Sequence, residues 1–344
     1  MWEPARTVVF AAGLLRWHRH DLYDSVPRVE RRDRALIEAL VRRGVPEARI
    51  THLTDRGATL AAARGGLRSA IEAAGPADTF LFYWAGHGDR TAAGASYAVP
   101  FDGGDDTPST CLGYEEIVRT LEEHGRMQRA LLFADTCYSG ALADEVMARP
   151  GGPPRAGFGA SSASQTSTGA WTFTDAIISA FEGTAYADRD RDRTVTVADL
   201  SRFVQEEMAF ADGQLASVRQ TSEFPLMLQL GPAAAAPCAR YGERIEVLSE
   251  GAWWPATITG EPDGQIAVHY DGYTRRWDAT VDVSETRPFA PLAYAPGTRV
   301  SVQWNDEWFP ATVREARLGV HLVHYDDYAD TWDEWVSIDR VRRA

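Results

Sequence analysis

The sequence predicts an α/β domain with a mainly parallel sheet, followed by two small all-β modules. Apolar runs of strand length alternate with segments of helical spacing from residue 7 to about residue 230. Strands alternating with helices in this way give parallel strands joined by right-handed crossovers. Two of the runs, 80–85 and 130–134, break off abruptly into His87-Gly88 and Asp135-Thr136-Cys137. Beyond residue 238 the chain repeats itself with a period of 55 residues, as the pair Trp253-Trp254-Pro255-Ala256-Thr257 and Trp308-Phe309-Pro310-Ala311-Thr312 illustrates. Repeats of about fifty residues built from short alternating strands and turns point to small β-barrels.

In chain order, a first strand is expected over 7–15 and a polar loop over 16–27. Ala35, Leu36, Ala39 and Leu40 have helical spacing, which predicts a helix over 29–43 that stops at Gly44. A strand at 49–53 and a helix at 59–74 follow, the latter ended by Gly75-Pro76. After the His87 strand, 91–113 reads as a loop with an extended piece near 97–100. A helix over 114–124 then leads into the Cys137 strand at 129–134. A short helix to about residue 148 is followed by 149–155, which three prolines and two glycines make irregular. A strand at 157–163, helices at 173–182 and 197–209, and a last strand at 224–230 complete the domain. The Pro/Ala-rich segment after it marks the main boundary. This gives a first domain over 1–232, a linker over 233–240, and modules over 241–289 and 292–344.

A chain of 344 residues has room for two or three domains with ample core. The net charge of −14 argues against nucleic acid and anionic membranes, whose phosphates need surplus cations. All 35 basic residues are Arg. No apolar run approaches the roughly 18 residues of a membrane span, and the 8–15 segment reads as a strand, not a signal peptide. Three cysteines form no disulfide framework, which favours the reducing cytosol. Cys111 is expected in a loop and Cys238 in the linker, so only Cys137 stands at a strand end.

Ligands of open parallel sheets bind beyond the carboxyl ends of the strands. His87 and Cys137 placed there are the minimal parts of a thiolate nucleophile with its base. Gly88 lets a substrate approach the main chain, and the Cys137 amide is the natural second donor for an oxyanion. A lone His or Cys in such a place is usually structural; the pair is what carries the reading.

His87-Gly88 followed by Asp135-Thr136-Cys137-Tyr138-Ser139-Gly140 resembles the motif pair of caspase-like peptidases, nearest to metacaspases and their bacterial relatives. Ala160-Ser161-Ser162-Ala163, Gly169-Ala170-Trp171-Thr172-Phe173-Thr174 and Gln220-Thr221-Ser222-Glu223-Phe224 extend the resemblance over about 5–232. It implies a caspase-like three-layer sandwich with a six-stranded, mainly parallel sheet. Cys137 would be nucleophile and His87 acid/base, with Gly88 and Cys137 supplying the oxyanion hole. Asp135, two before the nucleophile, would sit in the P1 pocket and select a protein substrate with Arg or Lys there. Its alternative role is to cap the next helix or to orient its neighbours. Asp21 or Asp24 would add a second acid to that pocket. Ala85 stands where some metacaspases carry Ser, which leaves one pocket contact open.

Arg149 and Arg155 fall where caspases are cut between subunits, which makes them candidate self-processing sites against an uncut loop. No cofactor is needed for the chemistry, but the resemblance also implies calcium as an activator. Asp188, Asp190, Asp192 and Asp199 fall at positions 1, 3, 5 and 12 of an EF-hand-like loop. Arg193 replaces the expected turn glycine and Asp199 the longer Glu, so helix-capping acids in a solvated turn are the preferred reading.

Trp254, Tyr270, Tyr273 and Trp277 in the first repeat, and Phe309, Tyr325, Tyr328 and Trp332 in the second, resemble the aromatic cages of Tudor, agenet and chromo-barrel modules. Such SH3-like barrels hold methylated Lys or Arg by cation–π attraction; the alternative is that these rings are barrel core. From residue 238 the chain has 11 Arg against 18 acids, a net charge of −7, so a protein or peptide ligand is expected. The whole reads as a cytosolic cysteine endopeptidase with a recruiting tail. The rivals are a catalytically silent caspase-fold scaffold and a reader whose main activity lies in the repeats.

Overall fold

The computed structural model describes residues 1–26, 31–163, 171–273, 275–304 and 307–344. Its centre is a six-stranded sheet of β1 (Thr7–Gly13), β2 (Ile50–Thr54), β3 (Thr79–Ala85), β4 (Arg129–Asp135), β5 (Arg155–Gly159) and β6 (Ser217–Gln220). The spatial order is β6-β5-β4-β3-β1-β2. Every pairing is parallel except that of β6 with β5. This is the mixed α/β, mainly parallel architecture predicted from the alternation of elements.

Helices α1 (Arg32–Arg42), α2 (Leu60–Ala73), α3 (Tyr114–His124), α4 (Gly140–Ala148), α5 (Thr172–Glu182) and α6 (Val197–Asp212) cover both faces. Successive strand residues point to opposite faces. Leu81, Tyr83, Leu131 and Phe133 pack with α1, α5 and α6, whereas Phe80, Phe82, Trp84 and Leu132 pack with α2, α3 and α4. Both faces are dry, which is why β3 and β4 read as unbroken apolar runs.

Two expectations change. The last core strand is β6, not 224–230: Pro225 interrupts that stretch, and Phe224 and Leu228 are buried from turns. Gln229–Pro232 instead pairs with Thr194–Thr196 in a separate ribbon. β5 begins at Arg155, two residues earlier than expected, which carries that arginine into the sheet. Residues 29 and 30 of the expected first helix, and Gly169 and Ala170, lie outside the described residues.

The first repeat is an antiparallel sheet of β7 (Arg244–Ser249), β8 (Ala252–Gly260), β9 (Ile266–Tyr270), β10 (Ala279–Val281) and β11 (Thr286–Pro288). The second is built from β12 (Arg299–Trp304), β13 (Glu307–Arg317), β14 (Val320–Tyr325), β15 (Glu334–Ser337) and β16 (Val341–Arg343). Their registers coincide at the 55-residue offset read from the sequence, down to the bulge after Ile258 and after Val313.

Both repeats pack on α6. Arg244 lies over the Phe210 ring at 4.9 Å and pairs with Glu207 of α6 and with Asp271. Phe210 also meets Phe289 edge-on at 5.1 Å. Val320 of the second repeat joins Ala209 and Leu215 in a small apolar cluster. Among the described residues, no helix is long and apolar enough to cross a membrane.

Candidate functional site

β3 and β4 are neighbours in register, Ala85 opposite Asp135, so the residues after them leave one sheet edge side by side. Gly86 turns with φ +146° and its N–H donates to the Asp135 carbonyl at 3.2 Å. A Cβ on Gly88 would lie 2.0 Å from the Cys137 carbonyl oxygen, so only glycine fits where the two motifs touch. Cys137 itself is half-buried.

The His87 ring lies against Trp17, 4.3 Å between centroids, and Tyr23, at 5.7 Å. Its Nε2 is 2.8 Å from the Asp24 carbonyl oxygen. A carbonyl only accepts, so the neutral ring carries its proton on Nε2 and leaves Nδ1 as the proton acceptor. Behind Cys137, Tyr114 Oη donates to Thr136 Oγ1 at 2.5 Å, and Thr136 Oγ1 donates to the Cys137 carbonyl at 3.0 Å.

Asp135 continues the Leu131-Phe133 alternation and so points to the α5 and α6 face. Thr174 Oγ1 of α5 donates to its Oδ2 at 2.6 Å, and Tyr83 Oη lies 2.7 Å behind Thr174 Oγ1. Burial pushes the Asp135 carboxyl up to about 6; the Thr174 hydrogen bond opposes this and the charges of Asp212 and Asp175 add to it. Among the described residues its side-chain hydrogen-bond partner is Thr174, not the first turn of α4.

Of the two other acids named for the P1 pocket, Asp21 is tied to Arg19 and Asp24 meets His87 through its backbone. Asp21 is exposed and paired with Arg19, whose hydrogen bonds lower its carboxyl to about 2. Asp24 is exposed too, and it is its backbone carbonyl that serves, on His87. Sequence reading gave no role to Thr174, Tyr83 or Asp212: Thr174 only closes the Gly169–Thr174 segment, and the packing of α5 and α6 on the sheet is what brings the three to Asp135.

Arg149 pairs with Glu115, Glu122 and Glu145 at the end of α4. Arg155 requires a correction as a cleavage point. It is fully buried at the start of β5, with its guanidinium donating to the Gly151 and Pro153 carbonyls, so a protease cannot reach it without opening the sheet. Asp188, Asp190 and Asp192 converge, one oxygen of each lying within 4.8 Å of the others. Asp199 is committed to a capping box with Thr196 at the start of α6.

In the first repeat, Trp254 and Tyr273 meet edge-on at 5.9 Å, Tyr270 is half-buried, and Trp277 is exposed beneath Arg276. The second repeat gathers five rings. Trp304, Phe309, Tyr325, Tyr328 and Trp332 contact one another with centroids 5.6 to 6.4 Å apart. Tyr325 belongs to the repeat's core, while Trp304, Tyr328 and Trp332 are exposed. Trp304 was missed because its counterpart 55 residues earlier is Ser249, so comparing the repeats hides it.

No curated protein matches the chain. Solved structures similar to it include protein GSU0716 from Geobacter sulfurreducens, at 14% identity and TM-score 0.47, covering 67% of this chain and all of that one. The ADCP1 tandem Agenet domain 3-4 matches at 17% identity and TM-score 0.15, covering 30% of this chain and 79% of that one. The AGD34 region of Arabidopsis thaliana AGDP1 matches at 18% identity and TM-score 0.16, covering 30% and 81%. The family model of the Agenet domain matches residues 242–291, so the C-terminal region contains an Agenet domain.

Proposed function

We propose that this chain is a cysteine endopeptidase cutting after Arg, and also after Lys, with a tail that recruits its protein substrate or partner. The observation that carries the reading is the meeting of His87-Gly88 and Asp135-Cys137 at one sheet edge. His87 Nδ1 takes the Cys137 thiol proton as the sulfur adds to the scissile carbonyl carbon. The amides of Gly88 and Cys137 receive the oxyanion. The imidazolium returns the proton to the leaving amine as the C–N bond breaks, and water deprotonated by His87 then splits the thioester. Asp135 meets the P1 cation. A reducing cytosol would keep Cys137 as a thiol.

Calcium, the less favoured reading of this acidic turn, would act as an activator held by Asp188, Asp190 and Asp192. These three acids fit a hard cation, but Asp199 is engaged elsewhere and cannot complete an EF-hand set. Activity unchanged by a chelator and by Asp190→Ala would remove calcium from the account.

The test is turnover of fluorogenic peptides with P1 Arg, Lys or Asp by wild type and Cys137→Ala. Arg and Lys substrates are expected to be cut and Asp substrates left intact, with the activity lost in the variant by roughly 10³-fold or more. No turnover of any peptide would favour the second reading: an interaction protein whose caspase-like domain is a scaffold. The Agenet match supports that reading, as does the five-ring cluster, which suits a methylated Lys or Arg of a protein or peptide ligand. Binding of such a peptide that is lost in Trp304→Ala would place the main activity in the tail.

A further inference from the structure

Asp135 is 9% exposed, Thr174 is fully buried and Tyr83 is 1% exposed, so the three form a hydrogen-bonded line running from the sheet edge into the core. Among the described residues no Arg or His pairs with Asp135. The titratable groups whose charges reach it are Tyr83 on β3, Asp175 on α5, Asp212 at the end of α6 and Tyr114 on α3. All are acids or neutral donors. A buried carboxylate with neutral donors and no internal cation is costly to keep ionised. Such a site is built to receive a cation from outside, and its own donors decide how well the carboxylate is aimed.

We infer that Thr174, backed by Tyr83, is the positioning residue that fixes the Asp135 carboxylate for a substrate guanidinium. This rests on the reading of Asp135 as the floor of the P1 pocket. Tyr83 donates to Thr174, which frees the Thr174 hydroxyl proton to point at Asp135 Oδ2. That bond favours the charged carboxylate and holds its second oxygen toward the pocket. Without it the carboxylate keeps its proton to higher pH and is held by the Thr174 backbone alone, so a guanidinium meets a less well aimed partner.

Agmatine, an alkyl guanidinium, is titrated by calorimetry into the full chain carrying Cys137→Ala, which separates binding from turnover. Agmatine is expected to bind roughly tenfold tighter at pH 7.5 than at pH 5, with a midpoint near 6. Adding Thr174→Val should weaken binding at pH 7.5 by roughly tenfold and move the midpoint upward, while Thr174→Ser restores both. Tyr83→Phe should shift the midpoint in the same direction by less, and it carries the test if Thr174→Val does not fold. Agmatine binding that ignores pH, Thr174→Val and Tyr83→Phe, or that is absent from the parent protein, overturns the inference. A chain that binds agmatine as described but cuts no peptide overturns the peptidase reading and leaves this one standing.

Discussion

Two buried carboxylates on the same face of the sheet, Asp33 and Asp135, are treated in opposite ways. Asp33, in the first turn of α1, receives a fork from Arg31 at 2.8 and 2.9 Å and lies 3.1 Å from His52 Nε2. Burial pushes its carboxyl up, but the His52 and Arg31 hydrogen bonds and the Arg31 charge more than reverse this and hold it well below the usual range. Among the described residues Asp135 has only Thr174, through its hydroxyl and its backbone, and burial wins. The first carboxylate is complete within the fold. The second has no cation among the described residues, and in the proposed function the substrate brings one.

The largest expected effect comes from making Asp33 resemble Asp135. Arg31→Ala leaves a buried charge without its cation and should cost about 3–5 kcal/mol, read from urea unfolding of the full chain. The loss exceeds that of an ordinary surface ion pair, and an effect below 1 kcal/mol would erase the contrast.

Asp135→Asn should do the reverse. Between about pH 4 and 6 the folded chain keeps a proton on Asp135 that the unfolded chain, with an ordinary carboxyl near 3.8, has released. The contribution of this group to stability therefore falls as pH rises through that window. Asparagine removes that cost, so the variant should be more stable by about 2–3 kcal/mol at pH 7 and indistinguishable from wild type near pH 4. Asp33 has the opposite sign: its contribution is full above the ordinary carboxyl value of 3.8 and is lost as pH falls below it. Acid titration of the unfolding midpoint in wild type and Asp135→Asn separates the two.

The smallest effect is expected from His52→Gln. The amide can still donate to Asp33 while the Arg31 fork remains, so the cost should stay under about 1 kcal/mol. A loss as large as that of Arg31→Ala would mean that His52, not Arg31, supplies the cation.

Much of this was legible in the chain. The abrupt ends of two apolar runs located His87 and Cys137 before any strand was paired, because dry parallel strands leave a continuous hydrophobic signal. The 55-residue period carried over to the register of both repeats. What could not be read depends on side chains meeting from distant elements. Asp24 was singled out for its carboxylate, and it is its carbonyl that meets His87 Nε2. Thr174 and Asp212 reach Asp135 only through the packing of α5 and α6. Arg155 looked cuttable because the preceding Pro/Gly stretch looks loose, but the strand begins at the arginine itself.

The seam along α6 has a consequence for how the molecule is dissected. Arg244 reaches across it to Glu207 and Phe210, and Val320 closes on Ala209 and Leu215. Removing the repeats would strip a helix whose far end carries Asp212 toward Asp135, leaving Glu207 without its arginine and an apolar flank wet. A shortened chain is therefore not a neutral control for recruitment. Point changes in the ring cluster, such as Trp304→Ala, leave that flank covered and are the cleaner instrument.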